Sequence, residues 1–339
     1  MLRDKKLLIT GPAGQIAYPM TAFLAADNEV WGIARFSEEG SRERVESVGA
    51  ITRRVDLGSG DFDDLPTDFD HVIHLATYQA PGLDYERAFE VNAEGTGLLL
   101  EHCRSAKSAL VASTFSVYAP NTDPGHLFGE TDPLGDAKLP HSPTYSMSKL
   151  AQEAVTRTMA RVLDLPITIG RINGSYGPNG GLPAYMLDWL IAGDPIYLRA
   201  EGQTYNLVHQ DDMNAQVAKL LEVATVPATI VNWSGDDAVT VEEMVAYMAE
   251  LTGRTPNFVL VDMPESSKGN GSDNTRRTEL IGRCGVDWKE GVRAMYEARY
   301  PNGADGGLGD GRSGAGLGAA YADDGDDDDD DDGSGLPNS

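Results

Sequence analysis

The sequence predicts an α/β fold with a doubly wound parallel sheet, a smaller mixed C-terminal lobe and a disordered acidic tail. Three observations support this prediction. Short apolar runs alternate with longer helical patterns over the first 172 residues, a glycine-rich turn follows the first run, and the composition changes after residue 300. Strands and helices in alternation imply right-handed crossovers between parallel strands.

Apolar runs in this region predict the strands. Each run is nearly continuous in apolar residues, which is typical of strands that are covered on both faces. The runs are residues 6–10, 29–34, 51–56, 71–76, 109–114 and 167–172, and residues 229–233 are expected to add a later strand. Helical patterns lie between them, for example at 15–26, 84–105 and 144–163.

Charge and composition argue against several classes of protein. The 339 residues carry a formal net charge of −26, which would repel a nucleic-acid backbone. No apolar run is long enough to cross a membrane. The two cysteines, Cys103 and Cys284, form no CxxC pattern, which suits a reducing, cytoplasmic compartment. No metal site is expected.

The Gly- and Asp-rich segment 301–339 is expected to be disordered because it has few large apolar residues to bury.

The glycine-rich turn, TGPAGQIA at residues 10–17, lies between the first strand and the first helix. Gly11 permits the tight turn, and Gly14 lets the backbone approach a pyrophosphate closely. The following helix directs free N–H groups and its positive end at that anion. This context predicts a dinucleotide-binding Rossmann domain at 1–172 and 204–237, with a substrate-binding lobe at 173–203 and 238–300.

The end of the second strand, VWGIARFS, bears on which dinucleotide is bound. Ala34 stands where an NAD site places an acidic residue for the ribose 2′-OH, and Arg35 could pair with a 2′-phosphate. Ser37 could add a hydroxyl. NADP(H) is therefore the favoured cofactor, and NAD is possible. Asp56, which ends the third strand, could accept a hydrogen bond from the adenine amino group or cap the next turn.

The segment YSMSK at 145–149 places Tyr145 and Lys149 four residues apart, directly after the SPT of a helix start. The two side chains should therefore lie side by side on one helical face. A free phenol titrates near pH ~10, but an adjacent ammonium would lower its pKa. The pair could then move a hydroxyl proton while a hydride moves to or from a nicotinamide. Thr114 or Ser113, at the end of the fifth strand, could orient the substrate hydroxyl.

The segments TGPAGQIA, HLAT, VNAEGTGLLL, STFSVY, YSMSK, RINGSYGP and YNLVHQDDMNA together resemble the extended short-chain dehydrogenase/reductase superfamily. More narrowly, the chain is similar to the NAD-dependent epimerase/dehydratase family, which acts mainly on sugar nucleotides. The resemblance extends from residue 5 to residue 295.

The resemblance implies roles for individual residues. Tyr145 would be the acid/base, Lys149 would hold the nicotinamide ribose and tune Tyr145, and Thr114 would be the third catalytic residue. Asn92 would brace the central strands, and His209 is expected to be structural. The expected cofactor-binding residues are Gly11, Ala13, Gly14, Gln15, Ile16, Arg35, Asp56, Leu57, Leu75, Ala76 and Lys149, and the expected substrate contacts are Ser113, Asn173 and Tyr205.

The chain departs from the family pattern at positions that bear on its chemistry. Phe115 and Ser116 follow Thr114, where dehydratases of the family carry an acidic pair, so dehydration is disfavoured. Tyr205 stands where sugar-nucleotide enzymes often carry an arginine for the diphosphate, and this disfavours a nucleotide-sugar substrate.

These observations predict an NAD(P)-dependent oxidoreductase or epimerase that acts at a carbinol or carbonyl carbon of a sugar or similar small molecule. The alternatives are an NADPH-dependent carbonyl reductase of a non-sugar substrate and a non-catalytic NADP-sensing module. A homodimer is expected, because members of the family often pair the helices near 84–105 and 144–163 into a four-helix interface. Neither nucleic acid nor a membrane is an expected partner.

Overall fold

The computed structural model describes residues 1–135, 142–199, 202–261 and 267–308, so most of the predicted disordered tail lies outside the described residues. The strands are β1 Lys6–Thr10, β2 Glu29–Ala34, β3 Ile51–Arg54, β4 His71–His74, β5 Ser108–Thr114, β6 Leu127–Phe128, β7 Ile167–Ile172, β8 Ser175–Tyr176, β9 Pro195–Arg199, β10 Thr204–Asn206, β11 Val208–His209, β12 Thr229–Trp233, β13 Ala238–Thr240, β14 Asn257–Val261 and β15 Gly271–Ser272. The helices are α1 Ala17–Ala25, α2 Ser41–Ser47, α3 Tyr85–Phe89, α4 Gly95–His102, α5 Tyr145–Leu163, α6 Leu182–Ala192, α7 Gln210–Glu222, α8 Val241–Thr252, α9 Thr275–Ile281 and α10 Trp288–Arg299. No helix in these ranges is long and apolar enough to cross a bilayer.

A seven-stranded sheet organises the molecule, with strand order β12-β7-β5-β4-β1-β2-β3. All pairings in this sheet are parallel. The chain winds outward from β1 through β2 and β3, and then returns to place β4 on the other side of β1. The predicted doubly wound sheet is therefore confirmed, and its topological switch point lies between β1 and β4, where ligands bind in such folds.

Side chains on the two faces of the sheet form separate apolar clusters. Leu7 and Ile9 of β1 face one cluster, which includes residues of α1 and α7, whereas Leu8 faces a second cluster with residues of α4 and α5. All three side chains are completely buried. A continuous apolar run is required here because successive side chains of a strand point to opposite, equally covered faces.

Three predicted elements differ from the structure for reasons that the contacts make clear. β4 ends at His74 because the next two N–H groups, of Leu75 and Ala76, donate to the side chain of Thr10 instead of continuing the ladder. β3 ends at Arg54, and Asp56 caps a short 3₁₀ turn that follows it. The helix predicted at 84–105 is interrupted by a π-helical turn, Glu90–Glu94, between α3 and α4.

A third apolar cluster lies away from the main sheet and draws on α6, α8 and α10. It includes the completely buried side chains of Leu187, Val245 and Met295. Short two-stranded pairings, β10 with β13 and β9 with β14, border this region. Because the main sheet covers none of these side chains, they form a second core, which lies next to the carboxyl ends of the sheet strands.

We expect the central sheet to dominate stability. Replacing the completely buried Leu110 of β5 with alanine should lower the free energy of unfolding by about 3 kcal/mol, through lost burial and an unfilled cavity. The matched change Leu83→Ala removes the same atoms from a side chain that is 71% exposed, and should have little effect. Urea denaturation measures both. Equal losses in the two variants would contradict this account of the core.

Candidate functional site

A cleft of about 1180 Å³ follows the carboxyl ends of the sheet strands. Its lining includes every residue predicted to bind the cofactor and all three predicted catalytic residues. These are Gly11, Ala13, Gly14, Gln15, Ile16, Arg35, Asp56, Leu57, Leu75, Ala76, Thr114, Tyr145 and Lys149. The structure therefore brings together residues that are far apart in the sequence, because the seven parallel strands of the sheet end at one edge.

The glycine-rich turn forms one end of the cleft. Gly11 has φ +66°, and a Cβ there would come within 3.0 Å of the Ala76 Cα, so both the backbone conformation and the close approach require glycine. The Gly14 N–H donates to the Gly11 carbonyl at 2.9 Å, which closes the turn. The apolar side chain of Ile16 at the N-cap of α1 makes no capping hydrogen bond. In the first turn of α1 the Tyr18 N–H already donates to the Gly14 carbonyl at 2.9 Å and Pro19 has no N–H, so the helix would attract an anion mainly through the positive end of its dipole.

The adjoining end of the cleft carries the residues that bear on cofactor choice. Arg35 and Ser37 are exposed and line it. Asp56 does cap the next turn, because it accepts from the Gly58 N–H at 3.1 Å, and it also pairs with Arg87 at 2.5 Å. Partial burial raises the pKa of Asp56, but hydrogen bonds from Arg87 and Gly58 outweigh it and leave that pKa below its usual range. Its carboxylate is thus already engaged within the protein.

Tyr145 and Lys149 lie one turn apart at the start of α5, as predicted. The Tyr145 hydroxyl is hydrogen-bonded to Thr114, and the Lys149 Nζ donates to the Ala112 carbonyl at 2.8 Å. This arrangement sets a phenol, a hydroxyl and an amine in one wall of the cleft. It can hold a substrate hydroxyl or carbonyl oxygen and exchange a proton with it.

The expected lowering of the Tyr145 pKa by Lys149 differs from what the structure gives. Burial raises the pKa of Tyr145, and the hydrogen bond with Thr114 offsets only part of that rise. Burial also lowers the pKa of Lys149 to about 7, against the opposing charge of Glu153. Because an amine with this pKa is only partly protonated at neutral pH, it is a weaker cation than the pattern YSMSK suggested.

Two predicted substrate contacts are engaged within the protein. The Ser113 hydroxyl donates to the buried Glu153 carboxylate at 2.6 Å, so the choice between Ser113 and Thr114 favours Thr114. Asn173 is 2% exposed, donates to the Asn270 carbonyl at 2.5 Å and is not part of the cleft lining. Tyr205 does line the cleft.

A buried polar network beneath the cleft was not anticipated. The Thr10 hydroxyl accepts from the N–H groups of Leu75 and Ala76, at 3.0 Å and 2.9 Å, which leaves its proton for His74 Nδ1 at 2.8 Å. His74 Nε2 then donates to Thr96, also at 2.8 Å. Burial, together with the nearby charge of Lys149, lowers the pKa of His74 to about 3. The sequence signal was a polar residue inside the otherwise apolar run of β4.

Asn92 has a bracing role, although it contacts a loop and a helix rather than the central strands. Its amide donates to the Tyr78 carbonyl and to the Ser148 hydroxyl, both at 2.9 Å, and its carbonyl accepts from the Tyr78 N–H at 2.6 Å. Ser148 in turn donates to the Tyr145 carbonyl at 2.8 Å. The π-helical turn that contains Asn92 therefore ties the loop after β4 to the start of α5.

His209 lies at the N-cap of α7, where its Nδ1 accepts from the Asp211 N–H at 3.2 Å, and its ring packs edge-on against Tyr176. These contacts fit a structural part for this histidine.

Among the residues that the structure describes, no group of three or more His, Cys, Asp or Glu side chains is placed to hold a metal ion.

Comparisons with known proteins agree with this geometry. The model of the NAD-dependent epimerase/dehydratase family matches residues 7–232. No curated protein sequence matches the chain. Among solved structures, the UDP-glucuronic acid 4-epimerase of Bacillus cereus, in complex with UDP-glucuronic acid and NAD, is 22% identical, with a TM-score of 0.75 over 86% of this chain and 98% of that chain.

Two further solved structures are similar. The UDP-glucose 4-epimerase of Thermotoga maritima, with UDP-glucose, is 21% identical, with a TM-score of 0.75 over 88% of this chain and 99% of that chain. The UDP-glucose 4-epimerase of Thermus thermophilus, in complex with NAD, is 26% identical, with a TM-score of 0.72 over 86% of this chain and 97% of that chain.

The buried His74 predicts a pH dependence of stability. The pKa of His74 is about 3 in the folded protein and about 6.5 in the unfolded chain, so as the pH falls the unfolded chain takes up a proton on this residue before the folded protein does. The contribution of His74 to the free energy of unfolding is therefore lost as the pH falls below about 6.5. Between pH 6.5 and pH 5.0 the loss should be about 2 kcal/mol. Urea denaturation across this range should show a shallower pH dependence in His74→Gln than in the parent. An unchanged slope would mean that another group is responsible.

Proposed function

This chain belongs to the NAD-dependent epimerase/dehydratase family, and on that premise we propose that it transfers hydride at a carbinol or carbonyl carbon of a sugar or similar small molecule, with Tyr145 as acid/base. One observation carries the proposal: Tyr145, Thr114 and Lys149 share a single cleft with the glycine-rich turn at Gly11. A proton-transfer group and a dinucleotide cradle in one cleft suit oxidoreduction and epimerisation alike.

The proposed chemistry divides between the cofactor and the protein. A nicotinamide would accept or return the hydride. Tyr145, whose raised pKa keeps it protonated at neutral pH, would give its proton to a carbonyl oxygen and recover it from the hydroxyl. Thr114 would donate a hydrogen bond to the same oxygen. Lys149, anchored on the Ala112 carbonyl, would face the nicotinamide ribose.

We propose NADP(H) as the cofactor, with NAD as the alternative. The exposed Arg35 and Ser37 support NADP(H), since they line the adenosine end of the cleft where Ala34 replaces an acid. The comparison structures from Bacillus cereus and Thermus thermophilus contain NAD, which supports the alternative. Glu38 also lines this end and would repel a 2′-phosphate, which likewise supports the alternative.

The observations support two classes of substrate. The UDP-sugars of the similar structures favour a nucleotide sugar. Tyr205, which lines the cleft and accepts from Gln203 at 2.6 Å, favours a substrate without a diphosphate. This second reading corresponds to a carbonyl reductase of a non-sugar compound. Cofactor that stays bound through purification would favour an epimerase, which recycles its cofactor in place, whereas free exchange would favour a reductase.

We also propose that the chain has two parts, a dinucleotide-binding part at 1–172 and 204–237 and a substrate lobe at 173–203 and 238–300. The separate apolar cluster around α6, α8 and α10 supports this division.

A homodimer through α4 and α5 is supported by the exposed apolar side chains of Leu98, Met147 and Val162 on these helices. Both cysteines are unpaired, which suits the proposed cytoplasmic location.

Replacing Tyr145 with phenylalanine tests the reaction. Turnover should fall at least about 100-fold, because the transferable proton is removed, while the dissociation constant for the cofactor should stay within about twofold. The assay is a panel of carbonyl compounds and UDP-sugars with NADPH and NADH, followed by absorbance and product analysis. Tyr247→Phe, which removes a hydroxyl bonded to Arg293 away from the cleft, is the matched control. A Tyr145 variant with full turnover would overturn the proposed role.

Replacing Arg35 with alanine tests the cofactor. If Arg35 binds a 2′-phosphate, the dissociation constant for NADPH should rise about tenfold while that for NADH changes little. Arg293→Ala removes an equal charge from the lobe and is the control. Calorimetric titration gives both constants. Equal weakening of the two cofactors, or a parent protein that prefers NADH, would exclude the NADP assignment.

A further inference from the structure

Three consecutive residues at the end of β5 contact three residues on one face of α5. The Ala112 carbonyl accepts from Lys149, the Ser113 hydroxyl donates to Glu153, and the Thr114 hydroxyl is bonded to Tyr145. The α5 residues are spaced at four-residue intervals, so they form a single stripe along the helix. Glu153 is the one member of this stripe that the proposed chemistry does not use.

Glu153 is buried, and a second charge holds it. It is 4% exposed, and Arg171 of β7 is 1% exposed. The Arg171 Nε and Nη2 donate to the two Glu153 carboxylate oxygens at 2.9 Å and 2.8 Å. In the sheet, Arg171 is the register partner of Ser113, so side chains from two adjacent strands donate hydrogen bonds to the same carboxylate. A pair this deeply buried costs several kcal/mol to desolvate, so its net contribution to stability is small.

Two further contacts hold the guanidinium against this carboxylate. The Arg171 Nη1 donates to the Glu130 carbonyl at 3.2 Å, and the guanidinium lies 4.8 Å from the centre of the Tyr118 ring. Tyr118 is in turn fixed by a 2.6 Å hydrogen bond to Asn232. Glu153 is therefore held in one orientation, with one oxygen shared between Arg171 and Ser113.

The groups that face Lys149 differ in their charge. Tyr145 and Glu153 approach from α5, His74 from β4, and Arg171 lies on the far side of Glu153. His74 is neutral at ordinary pH, because its pKa is about 3. Glu153 is therefore the one negative charge that the described residues set against Lys149, and its effect opposes the lowering of the Lys149 pKa by burial.

We propose that Glu153, clamped by Arg171 and Ser113, is a positioning residue that sets a fixed carboxylate one helical turn from Lys149 and holds Thr114 beside Tyr145. The inference rests on the proposed function, in which these three groups carry the reaction. Glu153 is not among the residues that line the cleft. It acts through Lys149 and through the backbone of β5.

The substitution Glu153→Gln tests this without a substrate. It keeps the shape of the side chain and an oxygen that can accept from Ser113, but it removes the charge. NMR titration of protein carrying ¹³C at lysine Cε follows each amine, and the resonance missing from Lys149→Arg identifies Lys149. The parent should show a midpoint near pH 7. The variant should titrate about one pH unit lower. An unchanged midpoint would overturn the proposal.

Two further variants separate positioning from general loosening. Asp236→Asn removes the charge that pairs with the buried Arg277 outside the cleft, so it should destabilise the protein yet leave the Lys149 midpoint unchanged. Glu153→Asp keeps the charge and should largely restore the parent midpoint. Equal shifts in Asp236→Asn and Glu153→Gln would contradict a specific role for Glu153.

Kinetics provide an independent check once a substrate is known. If the charged amine is needed, kcat at pH 7 should fall about fivefold in Glu153→Gln, as the protonated fraction drops, with KM little changed. Full turnover in Tyr145→Phe would end the proposed function whatever Glu153 does, whereas an unmoved Lys149 midpoint would end only this inference.

Discussion

The candidate site depends on the contact between the end of β5 and one face of α5. Lys149 donates a hydrogen bond to the Ala112 carbonyl of the strand, and Glu153 accepts one from the Ser113 hydroxyl. Tyr145 contacts Thr114 where the strand ends. These groups are largely withdrawn from water, so each polar atom would be costly if its partner moved away. The first turns of α5 are thereby held in one register against the sheet.

The second constraint is the topological switch point between β1 and β4. The two strands are neighbours in the sheet, and the side chain of Thr10 links their carboxyl ends by accepting the first two N–H groups after β4. A Cβ at Gly11 would come within 3.0 Å of the Ala76 Cα, so glycine lets the turn pass closer to Ala76 than a residue with a side chain would. The cleft opens at this point because the two halves of the sheet turn their helices to opposite faces.

Much of the fold was predictable, because its signals are local. Alternation of apolar runs with helical patterns identified the strands of the main sheet, and TGPAGQIA identified the turn between β1 and α1. Boundaries were less predictable. β4 ends at His74 because the next two N–H groups donate to the side chain of Thr10, more than sixty residues earlier, instead of to a neighbouring strand. A contact at that sequence distance leaves no local pattern from which the end of the strand could be predicted.

By itself, the sequence determined that a parallel sheet forms, that a glycine turn opens its first helix, and that Tyr145 and Lys149 share a helical face. These follow from the periodicity of helices and strands and from the conformational freedom of glycine. Only the tertiary structure decided that Ser113 donates to Glu153, that Asn173 donates to the Asn270 carbonyl, and that Glu153 pairs with Arg171. Such choices depend on the register between strands and on which polar groups must be satisfied when buried, and both are properties of the packed chain.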